Sequence, residues 1–178
     1  LLTDQDLTTG EGAHYTPSLV TVNSQEFVVG KTEMSVVAKW TVADVTGANF
    51  LVGFHEKNVF YLNFNDYNDL AAIGTNNTAG AIVTNGILAG NPTVTTLSTT
   101  PTANGVESEF IVKVDINGVA TTICNDVEYP VYSSVGVPMV FTAGTVLVPF
   151  FEHTLITGKT AVGNISQFVA VPSLGWKE

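Results

Sequence analysis

The residues able to do chemistry in this chain are few and scattered. Imidazole occurs at His14, His55 and His153, and a thiol only at Cys124. His55-Glu56 and Glu152-His153 are adjacent pairs, and neighbours on a strand point to opposite faces, so neither forms an acid–base dyad directly. No Gly-x-Ser-x-Gly elbow and no His-Glu-x-x-His helix is present. A retaining glycosidase needs two carboxylates about 5 Å apart. Glu33, Glu107, Glu109, Glu128 and Glu152 are the candidates, but their spacing selects no pair. Gly30-Lys31-Thr32 and Gly158-Lys159-Thr160 end like a phosphate loop. The earlier glycine of that motif is missing (Gln25 and His153 stand there) and strands follow where a helix is required, so both read as turns. The expectation is a protein that is not an enzyme.

Binding chemistry has two candidate sources. Asn63, Asn65, Asp66, Asn68 and Asp69 put several oxygens into seven residues, the donor type calcium takes. The EF-hand order of acids, glycine and terminal Glu is absent. A solvated turn is therefore expected, with Asn65, Asp66 and Asp69 as a weak calcium candidate and no cofactor. Tyr61, Tyr67, Tyr129 and Tyr132 fall near expected loops and could present rings to a glycan or an interface. Trp176 could join them, whereas Trp40 belongs to an apolar strand face. Asn76-Asn77-Thr78 and Asn164-Ile165-Ser166 match the glycosylation pattern, a common chance match in an Asn/Thr-rich chain.

Composition narrows the partners. Six basic against sixteen acidic residues leave a net charge of −10, which repels nucleic acid and anionic membranes alike. No apolar run approaches the ~20 residues of a spanning helix. Only 12% of residues are charged, so Thr, Asn, Ser and Gly must cover the surface, as on an assembly subunit or an extracellular module. A lone cysteine permits no internal disulfide and fits synthesis in a reducing cytoplasm; on a strand, Cys124 acts as a small hydrophobe. Leu1-Leu2-Thr3-Asp4 is not a signal peptide, and Leu at the start implies a missing upstream piece, minimally a Met.

The elements that must position these residues are strands. In Val106–His153, Phe110, Val112 and Val114 alternate with Ile111, Lys113 and Asp115, the period of a half-buried strand. Asn117-Gly118 supplies positive φ for a hairpin, and a return strand ends on Pro149-Phe150-Phe151. Met34, Val36, Ala38, Trp40 and Val42 form a wide apolar face that needs a second layer. Further strands are expected at 18–22, 26–29, 48–56, 70–74, 81–88, 93–97, 139–142, 146–152 and 163–171. Gly53 is expected to mark a bulge or close approach. About a dozen strands, no helix and no repeat give one all-β sandwich: an N-terminal arm with lead-in strands over 1–29, then the sandwich over 30–178.

The order of elements resembles the concanavalin A-like (laminin-G/lectin-like) jelly roll, in particular versions carried by tailed-bacteriophage virion proteins. The resemblance rests on Val52-Gly53-Phe54, Asp69 to Gly74, Val114 to Gly118, Leu147 to Phe150 and Ile165 to Gly175, and spans roughly Gly30 to Trp176. It implies an antiparallel two-sheet jelly roll. It also implies a virion structural protein, most concretely a capsid decoration or cement subunit. Such a subunit would be made in the host cytoplasm, sit on the capsid surface, bind the major capsid protein and self-associate as a homo-oligomer. The alternative is a carbohydrate-binding or receptor-binding module. A calcium-dependent sugar site of the family's kind is not placed by these residues.

Overall fold

The computed structural model describes residues 12–15, 25–57, 67–75, 81–96, 102–133, 135–155 and 163–172. Within them lie twelve strands and no helix: β1 (Gly12–Tyr15), β2 (Phe27–Val28), β3 (Met34–Val42), β4 (Ala48–Glu56), β5 (Leu70–Thr75), β6 (Ile82–Leu88), β7 (Asn91–Thr96), β8 (Ser108–Val114), β9 (Ala120–Cys124), β10 (Val127–Pro130), β11 (Val146–Leu155) and β12 (Gly163–Pro172). They form two antiparallel sheets. The seven-stranded sheet runs β1-β11-β4-β5-β6-β7, with β2 also on β11; the five-stranded sheet runs β10-β9-β8-β3-β12. This is the jelly-roll sandwich expected from the sequence.

The period-two patterns decide which faces meet. On β3 the burial alternates so that Met34, Val36, Ala38, Trp40 and Val42 are in the core, and on β8 Phe110, Val112 and Val114 join them. From the other sheet come Phe50, Val52 and Phe54 of β4 with Ala71 and Ile73 of β5. Trp40 stacks on Phe50 at 5.0 Å between ring centroids, and Phe110 closes on the far side of Phe50 at 5.5 Å. Burying such rings contributes about 1.5–3 kcal/mol each, so this aromatic bridge is one of the contacts that hold the sheets together. Cys124 is buried in the same core, and burial pushes its thiol up to about 12.

Turn chemistry departs from expectation at two hairpins. Between β8 and β9 only Gly118 has positive φ (+86°), whereas a two-residue turn at Asn117-Gly118 would need it at both. Asp115 explains the difference: its Oδ1 accepts from the backbone N–H of Asn117 and of Val119, each at 2.8 Å, holding a three-residue loop. Between β9 and β10 the tight turn falls on Asn125 and Asp126, both at positive φ (47° and 64°). Asn and Asp tolerate that region better than other side chains. The return strand β11 lies in the opposite sheet, paired with β4 and not with the β8–β9 hairpin. Residues 139–142 form no strand, although Val140 bridges to Val119.

The N-terminal lead-in meets the sandwich through backbone pairing. β1 pairs with β11 from Gly12 opposite Thr154 to Tyr15 opposite Phe151, and β2 pairs Phe27 with Leu147. Phe27 and Val29 are buried in the common core, so the hydrophobic layer begins before residue 30. The expected strand at 18–22 lies outside the described residues. At Gly53 the β4–β5 ladder is unbroken, so there is no bulge; a Cβ there would lie 2.0 Å from the Ala71 carbonyl oxygen, a close backbone approach. The bulge is instead in β12, between Ile165 and Gln167.

Candidate functional site

The register of the seven-stranded sheet assembles a tray on its outward face from residues far apart in sequence. One row runs from Asn85 on β6 across Ala72 and Gly53 to Phe150 on β11. The next runs from Val83 across Gly74 and Leu51 to Glu152. The middle of the first row carries almost no side chain, because Gly53 and Ala72 sit there; in the second row Gly74 stands beside Leu51. A Cβ at Gly74 would lie 1.7 Å from the Phe50 carbonyl oxygen, so that position is held to glycine by backbone proximity.

Polar groups flank this bare floor. Asn85 is only 7% exposed, and its Oδ1 is buried with no hydrogen-bond partner. Asn49, on the same face of β4 and half-buried, likewise has a buried Oδ1 without a partner. A buried acceptor left bare costs about 1–3 kcal/mol, so each is a feature that packing alone would remove. Glu152, half-buried, brings a carboxylate to the end of the second row. Ala72, Val83 and Phe150 are buried as Asn85 is, so the accessible part of this face is the half-buried edge of Asn49, Leu51 and Glu152. Acceptors along such an edge are suited to a ligand rich in hydroxyl donors.

A second hydrophobic cluster closes one end of the tray. Tyr67, Leu70, Ala72, Ile87 and Phe150 pack together on the outward face, with Leu51 against them. His55 is buried there, 4.3 Å from the Tyr67 ring and 5.3 Å from Phe150, and its Nδ1 donates to the Glu56 carbonyl at 2.6 Å. The corner beyond is latched by side chains. Glu56 Oε1 accepts from the Asn68 N–H at 2.9 Å and Asp69 Oδ1 from the Ala89 N–H at 3.1 Å, while Lys57 pairs with Glu26 at 2.5 Å.

The residues singled out in the sequence are scattered by this arrangement. Tyr67 is fully buried against His55 and is not an exposed platform ring. Tyr129 lies on β10 of the other sheet, packed on the common core, and half-buried Tyr132 sits beside the Gly86 backbone, with a bridge to Pro138. The described tyrosines therefore do not share one surface; Tyr61 lies outside the described residues. Asp69 is occupied as a latch, whereas Asn65 and Asp66 fall outside the described residues. Among the described residues no group of three or more His, Cys, Asp or Glu is placed to hold a metal ion.

Two of the acids are engaged by other side chains. Glu107 accepts from Ser166 Oγ at 2.5 Å, and Glu109 pairs with Lys39 at 3.4 Å. Glu33 and Glu128 line one cleft of about 220 Å³ on the five-stranded side. They sit on β3 and β10 margins three strand spacings and four residues apart, about 20 Å along the backbone, whereas Asp115 of the same cleft follows the Met34–Val114 pair and stands across from Glu33. His55 and Glu152 share the outward tray face, but four residues and one strand separate them, about 14 Å.

Sequence reasoning missed Asn85, Asn49 and the glycine floor. The only local signals were two glycines and one asparagine inside otherwise apolar strands, at Gly53, Gly74 and Asn85.

Comparison with known proteins bears on the fold. The chain matches no protein-family model and no curated protein sequence. Among solved structures, it superposes on the Emp47p carbohydrate recognition domain with a TM-score of 0.59 at 10% identity, covering 93% of this chain and 80% of that one. The carbohydrate binding module CBM66 from Bacillus subtilis gives 0.53 at 9%, covering 92% and 83%. A family 7 alginate lyase in complex with product gives 0.52 at 11%, covering 92% and 80%. At these identities the likeness is one of fold: the concanavalin A-like sandwich of lectins and carbohydrate-binding modules. The virion expectation has no counterpart among the three.

Proposed function

We propose that this chain is a non-enzymatic carbohydrate-binding module for neutral glycans, with its ligand lying across the outward tray of the seven-stranded sheet. The observation that carries the reading is the unpartnered Asn85 acceptor beside a floor of Gly53, Ala72 and Gly74. In this reading the sugar enters at the half-buried edge, its C–H face on Leu51, and its hydroxyls donate to Asn49 Oδ1, the Glu152 carboxylate and, deeper, Asn85 Oδ1. Net charge −10 disfavours acidic polysaccharides and leaves neutral ones. The lectin and carbohydrate-module neighbours support the reading through their shared sandwich. Unpartnered acceptors beside small residues are parts suited to binding.

A glycan microarray probed with the labelled chain, with and without EDTA, tests this. Saturable, EDTA-insensitive binding to a subset of neutral glycans is expected. A blank array, with the chain co-banding with virus particles on a density gradient, would overturn the proposal in favour of a capsid subunit.

A further inference from the structure

The lead-in strand β1 extends the second row of the tray by one position beyond Glu152. The β1–β11 register sets His14 directly opposite Glu152, so the row reads His14, Glu152, Leu51, Gly74, Val83 across five strands. Residues directly opposite in an antiparallel ladder share a face, which places His14 on the outward face of the sheet. It stands at the accessible end of the row, where Glu152 and Leu51 are half-buried, and not at the covered end, where Val83 is buried.

Imidazole is the one side chain whose ordinary titration falls between pH 5 and 8, so the groups around this position decide what its charge does. Glu152 holds the directly opposed position. The neighbouring row on one side brings Gly12, Thr154 and Asn49, and the row on the other side Phe150 and Gly53, all uncharged. His153 stands opposite Ala13 and Phe50, one position along, and so belongs to the other face. His55 shares the outward face but lies about 14 Å from Glu152. Glu56, Asp69 and the Lys57–Glu26 pair belong to the corner beyond His55. Among the described residues, the charge facing His14 is therefore that of Glu152.

Resting on the carbohydrate reading of the tray, we propose that His14 makes glycan affinity pH-dependent by competing with the sugar for the Glu152 carboxylate. Opposite charges at directly opposed cross-strand positions attract. Protonated His14 gives the carboxylate a cationic partner that a sugar hydroxyl has to displace, whereas neutral His14 leaves the carboxylate to the sugar. Affinity then falls as pH drops through the imidazole range. By linkage, bound glycan lowers the proton affinity of His14 by the same factor.

Titration calorimetry of the full chain with an array-selected neutral glycan, at about pH 5.5 and about pH 7.5 on either side of the ordinary imidazole midpoint, tests this. Circular dichroism melts at both pH values confirm that each variant is folded. Wild-type affinity is expected to be about two- to five-fold weaker at the lower pH, the scale of one cross-strand charge pair. His14→Gln puts an uncharged amide at the position and should bind equally at both pH values. Glu152→Gln removes the contested carboxylate, so its weaker binding should also be the same at both. A wild-type affinity that is unchanged or stronger at the lower pH overturns the proposal, as does a pH effect that survives either substitution. Absence of binding to every glycan at both pH values defeats the carbohydrate reading itself, and the proposal with it.

Discussion

Replacing Asn85 with leucine separates a residue kept for binding from one kept for folding. Asn85 is 7% exposed, its Oδ1 accepts nothing, and its neighbours on the same strand face are Val83 and Ile87. Across the ladder its partner is Ala72, a small side chain. Removing a bare buried acceptor recovers part of a cost of about 1–3 kcal/mol. Leucine also buries better and suits a strand better than asparagine. We expect Asn85→Leu to stabilise the ligand-free protein by about 1–2 kcal/mol. For a domain of this size that raises Tm by about 2–8 °C. Titration calorimetry with the array-identified glycan should show affinity falling at least about tenfold, because a sugar hydroxyl would face a methyl group. A lower Tm, or an unchanged affinity, would refute the reasoning, since either means that the amide serves the fold.

Further outcomes follow from the same geometry. Glu152→Gln keeps the side chain's volume and should weaken glycan binding about 10-fold, the scale of one charge-assisted hydrogen bond, measured by the same titration. Thr122→Val removes the Oγ1 donor to the Tyr129 carbonyl at 2.6 Å, so thermal melts should show a loss of about 1–2 kcal/mol. Gly118→Ala combines positive φ (+86°) with a Cβ 2.3 Å from the Phe141 carbonyl oxygen, and should cost about 2–4 kcal/mol in urea unfolding. The Cys124 thiol, ordinarily near 9.0, is pushed up to about 12 by burial. The unfolded chain therefore loses that proton first, and stability falls as pH rises from about 9 towards 12, by at most about 1.4 kcal/mol per pH unit from this group. Cys124→Ala should flatten that segment of the stability curve.

Much of the fold is legible in the sequence because burial on a strand has a period of two. Phe110, Val112 and Val114 declare their shared face, and the alternation around Trp40 declares another. What local pattern does not encode is pairing. Nothing near Pro149-Phe150-Phe151 says that β11 joins β4 and not β8. The β9–β10 turn was hidden because Asn125-Asp126 adopts a conformation usually signalled by glycine. The tray was hidden for the same reason as β11: Asn85, Ala72, Gly53 and Glu152 become neighbours only through the registers of four strands. Tyr67 looked available because it follows an Asn-rich stretch, yet the apolar outward face of β5, β6 and β11 draws it in.

The most direct test of the central claim is a chemical-shift titration of the labelled protein with a neutral glycan selected from the array. The account predicts that the Asn85 side-chain amide and the backbone amides of Gly53 and Gly74 shift together and saturate, while those of β3 and β8 stay in place. Shifts confined to the five-stranded sheet, or none at saturating glycan, would contradict it.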